Sequence, residues 1–317
     1  MSQIKVTFFT EAGSKRGMGH LVRLYTIYEE FVANKIESVF FLDSDVNYDY
    51  KFSNIHYFTW NTFTLHKKYD IIFIDSYEAN INIYKEITNS TKVGVYIDDY
   101  ARLEYPKGVI INFAPDAKEL FYPNEKKQYH YLLGLDYLPL RKAITKTTQK
   151  RKEEQIFIML GGADTKNLTL SIIHQLTLLN INKVVVSNNL EVADKLKQYE
   201  GVAVLFQPSD TELVKAMSKS TMAITTASMS VYELYYLNTP SIIVSTAQNQ
   251  TIGIKQFLKH QLTAFYVDIK CSNWCEEIEH YAKKLITSKS IIPNKQQIDG
   301  NGTIRIINKV LELCKKS

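Results

Sequence analysis

Residues 4–34 read IKVTFFTEAGSKRGMGHLVRLYTIYEEFVAN, and this stretch decides the fold. It opens on a short apolar run, Ile4–Phe9, with the composition of a strand. It closes on a helical pattern, Gly19–Asn34, with Leu21, Leu24, Tyr25, Tyr28 and Val32 along one face. Between them, Gly17 and Gly19 let the backbone approach a ligand closely, and the helix aims its first amides at whatever sits there. Strand, glycine loop and helix in this order begin a βαβ unit.

The alternation continues through the chain. Ser38–Leu42, Ile71–Asp75, Lys92–Ile97 and Val109–Asn112 are further strand candidates, which builds a parallel sheet by right-handed crossovers. Arg141–Glu154 is polar, basic and without apolar periodicity, so it reads as a linker. The pattern then restarts with strand Ile156–Leu160, the turn Gly161–Gly162 and helix Asn167–Leu179. Strands follow at Lys183–Val186, Val202–Phe206, Met222–Thr225 and Ser241–Val244, with helices near Glu191–Lys197, Thr211–Ser218, Ser228–Leu237 and Ile252–His260. The expectation is α/β: two doubly wound, Rossmann-like domains facing across a cleft, with the strand-to-helix loops of both at one site. The expected boundaries are 1–143, a linker over 144–154, 155–301, and a closing helical segment over 302–317.

Composition narrows the function classes. A chain of 317 residues with 45% hydrophobic and 22% charged residues is globular and long enough for two cores. The net charge of +5 suits anionic ligands, while the aromatic residues fall at core spacings and not along a basic stripe, so nucleic acid is not expected. Lys150–Arg151–Lys152 and Lys315–Lys316 read as solvated surface. No run reaches the ~18 apolar residues of a membrane span, and no secretion signal is apparent, which points to a cytoplasmic protein. Cys271, Cys275 and Cys314 have no second ligand pair to complete a zinc site and read as free thiols.

Chemistry concentrates in the loops. His20 falls on the first turn of its helix, where the dipole disfavours the imidazolium; a neutral imidazole there can accept a proton from water or a hydroxyl. The alternative is a histidine that only packs. Gly161–Gly162–Ala163–Asp164–Thr165 resembles a phosphate-cradling turn without the Walker lysine, or an ordinary turn with Asp164 or Thr165 as N-cap. Ala227, Ser228, Met229 and Ser230 open another helix and suit a diphosphate, with Glu233 able to accept ribose hydroxyls; the alternative is a capping box of Ser230 and Glu233. Gln248–Asn249–Gln250 could bond sugar substituents. Asp43–Ser44–Asp45 spells the metal-holding Asp-x-Asp of other sugar transferases but is weighed as background, so neither a metal nor a cofactor is expected. Asp98 and Asp99 could touch substrate or simply end a strand.

Together these motifs resemble a known family. They are Gly17-Met-Gly19-His20-Leu-Val-Arg23, Ile97-Asp98-Asp99, Leu132-Leu133-Gly134 with Tyr137 and Leu140–Arg141, Gly161-Gly162-Ala-Asp164-Thr-Lys-Asn167-Leu-Thr169, Ala227-Ser228 with Glu233, Asn249-Gln250, and Asp299-Gly300-Asn-Gly302 with Arg305. They occur in the order found in the UDP-2,4-diacetamido-2,4,6-trideoxy-β-L-altropyranose hydrolases of pseudaminic acid biosynthesis and the related SpsG-like proteins, which share the GT-B architecture of MurG-type glycosyltransferases. The resemblance implies metal-independent, inverting hydrolysis of a UDP-sugar with His20 as general base. It assigns Gly17, Gly19, Arg23, Asp98, Asp99, Tyr137, Arg141, Asn249 and Gln250 to the sugar side. It assigns Gly161, Gly162, Asp164, Asn167, Ala227, Ser228, Met229, Ser230 and Glu233 to the nucleotide. Other enzymes of the same glycan pathway are the implied partners, and the helix from Gly302 is implied to pack back on the first domain.

The chain also departs from the family pattern. Its first strand ends Phe9–Thr10–Glu11–Ala12–Gly13 where the family has Arg-x-Asp-x-Ser. Asn112–Phe113–Ala114 replaces Asn-x-Asn, and Lys142–Ala143 lacks the acidic residue expected after Arg141. Two other readings use the same fold: a glycosyltransferase moving the sugar to a hydroxyl acceptor, and a non-catalytic sugar-nucleotide binding protein.

Overall fold

The computed structural model describes residues 4–316 except 66, 149–150, 162–163, 165–166, 246–250 and 288–296. The chain divides into two units, Met1–Arg141 with Asp299–Ser317, and Lys142–Ile298. The first holds strands β1 (Lys5–Ala12), β2 (Glu37–Ser44), β3 (Ile55–Phe58), β4 (Tyr69–Asp75), β5 (Thr91–Ile97), β6 (Gly108–Asn112) and β7 (Tyr129–Leu133), with helices α1 (Gly19–Ala33), α2 (Ile81–Ser90) and α3 (Ala117–Phe121). The strand order is β3-β2-β1-β4-β5-β6-β7, and every pairing is parallel.

Period-two alternation sends neighbouring phenylalanines of β1 to opposite faces. Phe8 stacks on Phe73 and Phe40, with ring centroids 4.9 and 6.0 Å apart, under the edge of Phe31 from α1. Phe9 joins Ile72, Ile74, Tyr84 and Tyr96 in the cluster on the other face. A sheet covered on both sides explains why its strands read as continuous apolar runs. On α1 the buried apolar residues are Leu21, Leu24, Tyr25, Ile27, Tyr28 and Phe31. Val32, expected on the same stripe, is 47% exposed; in that last turn Phe31 takes the buried position.

The second unit starts at the helical turn α4 (Lys142–Thr145). It contains β8 (Glu153–Met159), α5 (Leu168–Leu176), β9 (Asn182–Ser187), α6 (Leu190–Leu196), β10 (Val202–Phe206), α7 (Asp210–Lys219), β11 (Ser220–Thr226), α8 (Met229–Tyr236), β12 (Ser241–Ser245), α9 (Thr251–Lys259), β13 (Phe265–Asp268) and α10 (Trp274–Thr287). Its parallel sheet runs β10-β9-β8-β11-β12-β13. The doubly wound α/β class expected from the sequence is therefore present twice. The segment expected as a linker begins in α4, where Ile144 is fully buried, and ends inside β8. Lys152, read as solvated surface, is half-buried and donates to the Thr239 hydroxyl at 2.6 Å. Burial pushes its ammonium down to about 8.

The chain then returns to the first unit as α11 (Gly302–Lys316), which buries Thr303, Ile306, Ile307, Val310 and Cys314 and packs against α1, β4 and β5. Gly302 opens this helix against the backbone of Leu138. A Cβ there would lie 2.2 Å from the Leu138 carbonyl oxygen and 2.6 Å from its nitrogen. Backbone cannot swing aside as a side chain can. Gly302→Ala is therefore expected to destabilise the first unit by about 1–3 kcal/mol. Urea unfolding followed by Trp60 fluorescence in a Trp274→Phe background measures this, and an unchanged midpoint would show that the Leu138 segment yields.

In both sheets the strand order reverses beside the first strand, between β1 and β4 and between β8 and β11. Doubly wound sheets bind ligands at the carboxyl ends of the strands flanking such a point. His20 follows β1 and Asp75 ends β4; Gly161 follows β8 and Ser228 follows β11.

Candidate functional site

The loop between β1 and α1 is a tight excursion. Gly13 and Gly17 exchange backbone hydrogen bonds of 3.1 and 2.8 Å, with Gly17 at φ +72°. Asp45 accepts from the amide and hydroxyl of Ser14 at 3.0 and 2.5 Å, while Asp43 pairs with Arg16 at 2.9 Å and accepts the Trp60 amide at 2.8 Å. The Asp-x-Asp pair thus shapes this loop. Among the described residues no group of three or more His, Cys, Asp or Glu is placed to hold a metal ion. Helix α1 then starts with Met18 as N-cap, which offers its first amides no side-chain oxygen.

His20 meets Asp75 across the switch point, Nδ1 to Oδ1 at 2.6 Å. Asp75 is fully buried and also takes Nε of Arg23 at 2.5 Å and Nη2 at 2.7 Å. Arg23 continues to Asp99, at 2.7 Å from Nη1 and 3.0 Å from Nη2, and Asp99 accepts the Tyr77 hydroxyl as well. Proton counting assigns the imidazole tautomer. Both Nη2 hydrogens of Arg23 go to carboxylates, so its 2.9 Å approach to Nδ1 supplies none. Nδ1 therefore carries its own hydrogen and donates it to Asp75, so that in the neutral ring the lone pair is on Nε2. That nitrogen has no hydrogen-bond partner among the described residues, and the side chain keeps 12% of its surface exposed.

Electrostatics hold this cluster charged. Burial raises the carboxyl of Asp75, but Arg23 and then His20 outweigh it and hold Asp75 below the usual carboxylate range. Burial likewise opposes the ionised form of Asp99, and Arg23 brings it down to about 2. For Arg23 burial works against the cation, and the two aspartates more than compensate. Beside this cluster the Tyr77 ring stands edge-on to His20, centroids 4.4 Å apart.

The structure places the other residues expected on the sugar side as follows. Arg23 is 7% exposed, with four of its five N–H groups on Asp75 and Asp99, so it links the site internally. Asp98 is 2% exposed and accepts from the amides of Ala101 and Arg102, at 2.6 and 3.1 Å, and from the hydroxyls of Tyr105 and Tyr122. Those four donors fill its acceptor sites and build the loop after β5. Tyr137 closes the turn Leu135–Tyr137 after β7, and Arg141 is buried at the end of the first unit's main segment. Asp75, central to the cluster, was read from the sequence only as a strand end. Its signal was available: a carboxylate at the end of the strand beside β1.

In the second unit Gly161 turns at φ +79° after β8, and Gly162 lies outside the described residues. Asp164 accepts from the amides of Leu168 and Thr169, both at 3.0 Å, and from the Thr169 hydroxyl at 2.5 Å. It caps α5, with Asn167 left-handed at the N-cap position. Asp164 therefore occupies these amides as a helix cap, the alternative that the sequence offered for this turn. Helix α8 differs. Its N-cap Ser228 makes no side-chain bond to the helix, so the first amides of α8 receive none from their cap. The capping-box alternative does not occur, because the third helical position is Val231 and Glu233 is the fifth. Ala227, Ser228 and Met229 are half-buried, Ser230 is buried, and Glu233 is 1% exposed. Asn249 and Gln250 lie outside the described residues.

No protein-family model matches the sequence. The chain is 29% identical over 194 residues to a Helicobacter pylori protein named pseudaminic acid cytidylyltransferase and UDP-2,4-diacetamido-2,4,6-trideoxy-β-L-altropyranose hydrolase. The match covers 59% of this chain and 36% of that one, so this chain spans little more than a third of that relative's length. It is 23% identical over 259 residues to the Campylobacter jejuni UDP-2,4-diacetamido-2,4,6-trideoxy-β-L-altropyranose hydrolase, covering 78% of this chain and 93% of that one. The spore coat polysaccharide biosynthesis protein SpsG of Bacillus subtilis is 22% identical over 282 residues, 80% of each chain. Among solved structures, Acinetobacter baumannii MurG matches with a TM-score of 0.65 at 12% identity, covering 97% of this chain and 99% of its own. Staphylococcus aureus MnaA, solved with UDP, matches with a TM-score of 0.67 at 10% identity, covering 98% and 97%. These likenesses show the fold, two Rossmann-like domains of the GT-B type. No described helix is long and apolar enough to cross a membrane.

Proposed function

We propose that this chain hydrolyses a UDP-sugar at the anomeric carbon, with His20 as general base. The observation that carries the reading is the His20–Asp75 pair, which protonates Nδ1 and leaves Nε2 as a proton acceptor at the sheet's switch point. Water gives a proton to Nε2 as its oxygen bonds to the anomeric carbon. The bond from that carbon to the diphosphate oxygen breaks on the opposite side, releasing UDP and the inverted free sugar. The ionised Asp75 is anchored by Arg23, so it stabilises the imidazolium of His20 as it forms.

UDP binds the second unit in this proposal. The uncapped amides of α8 take the diphosphate and stabilise its leaving charge, and Glu233 takes the ribose. Glu233→Ala is expected to weaken UDP binding by about 10–100-fold, the size of a hydrogen bond to a charged group. Wild-type affinity by calorimetry would leave the carboxylate a purely structural part of α8.

The relatives' names support UDP-2,4-diacetamido-2,4,6-trideoxy-β-L-altropyranose as substrate and pseudaminic acid assembly as the pathway, with its other enzymes as partners. The test is NMR of the protein mixed with that nucleotide sugar and no acceptor. Release of UDP and free sugar is expected. Binding without release would favour a transferase that awaits a hydroxyl acceptor.

A further inference from the structure

The loop between β4 and α2, residues 76–79, is gripped from two sides by charged side chains that the reaction does not use. Glu11, near the end of β1, is 2% exposed. Its carboxylate accepts the Tyr77 amide at 2.8 Å, the Trp60 indole at 2.9 Å and the Ser76 hydroxyl, with the Glu78 amide at 3.4 Å. Arg102, from the loop after β5, holds the carbonyl side of the same peptides. Its Nη2 donates to the carbonyls of Ser76 and Ala79 at 2.9 and 3.1 Å, and its Nη1 to that of Tyr77 at 3.2 Å. Ser76 Oγ shares the Glu78 amide, at 3.0 Å, and takes that of Ala79 at 2.8 Å.

A carboxylate on the N–H side and a guanidinium on the C=O side polarise these peptides in one direction, and each charge strengthens its hydrogen bonds. Such a grip is not needed to bury the loop tip. Tyr77 is 40% exposed, and Glu78 is exposed as well. What the loop does carry is the ring that meets His20 edge-on, with its hydroxyl on Asp99. Asp75 fixes one atom of the imidazole; a second contact is required to fix the plane of the ring.

We propose that Glu11 and Arg102 are positioning residues that clamp the 76–79 loop so that Tyr77 sets the plane of the His20 imidazole. The clamp rests on the reading of His20 as base, and Glu11 stands where the chain departs from the family pattern.

The His20 ring-proton resonances, assigned by their loss in His20→Gln, report the Tyr77 ring directly through its ring current and need no substrate. Glu11→Gln and Arg102→Lys are each expected to move these resonances toward their positions in Tyr77→Ala. In the Tyr77→Ala background neither substitution should move them further. Turnover should fall about tenfold or more in each single variant, as for a misplaced catalytic group. The two variants loosen opposite sides of the loop, so either one that folds is informative. Resonances that stay in place, or that move equally in the Tyr77→Ala background, overturn the clamp. A wild type that binds but does not cleave the sugar nucleotide refutes the hydrolase reading alone, since the ring resonances are read without it.

Discussion

His20→Ala is expected to cut UDP release by about 100-fold or more while UDP affinity stays close to wild type, as for loss of a general base. The separation of the two effects follows from where the residues lie. His20 belongs to the first unit, whereas the open helix start of α8 and Glu233 belong to the second. Removing the imidazole takes away the acceptor at Nε2 and leaves the Asp75–Arg23–Asp99 pairing with its own hydrogen bonds. The fold should therefore survive. Turnover is measured by NMR release of UDP and affinity by calorimetry. Unchanged turnover would remove His20 from the chemistry, and a parallel loss of UDP affinity would mean that the histidine holds the nucleotide.

The largest stability effect is expected at Arg23. Arg23→Leu removes the cation shared by Asp75 and Asp99, and breaking a buried pair from one side costs about 3–5 kcal/mol. Its pH dependence separates charge from packing. In the wild type both carboxyls sit below their ordinary values, Asp99 at about 2, so their contribution is complete at neutral pH and is lost as pH falls from about 4 toward 2. Without Arg23, burial dominates and raises the Asp75 carboxyl above its unfolded value. The penalty is then fully present at neutral pH and shrinks as the carboxyl protonates. Urea unfolding at pH 7 and pH 5 should show the smaller deficit at pH 5. Equal deficits would assign the loss to the vacated guanidinium volume.

How much of this was legible in the residues depends on the range of the signal. Alternating apolar runs and helical stripes are local, and they placed most strands of both sheets. Ile55–Phe58, Tyr129–Leu133 and Phe265–Asp268 escaped as strands, since all three lie at sheet edges and lack the continuous β-branched apolar run that marks the others. The glycine loop before His20 and the hydroxyl-rich start of α8 were equally local, because a tight turn and a helix start are specified by neighbours in the chain.

Pairing across the sheet was not legible in that way. His20 and Asp75 are 55 residues apart, and Arg23 and Asp99 are 76 apart. The parallel register that sets Thr10 beside Asp75 brings them together. The same dependence set contacts that the sequence leaves open. Asp164 became a helix cap because its carboxylate meets the α5 amides, and Glu233 escaped a capping box because α8 begins at Met229. By itself the sequence determined two doubly wound domains and the loops that bear their chemistry, since both arise from short-range pattern. Which side chains in those loops hold one another in place was decided only by the tertiary structure, because each carboxylate and guanidinium has a fixed number of hydrogen-bond sites and strand order determines which partners reach them.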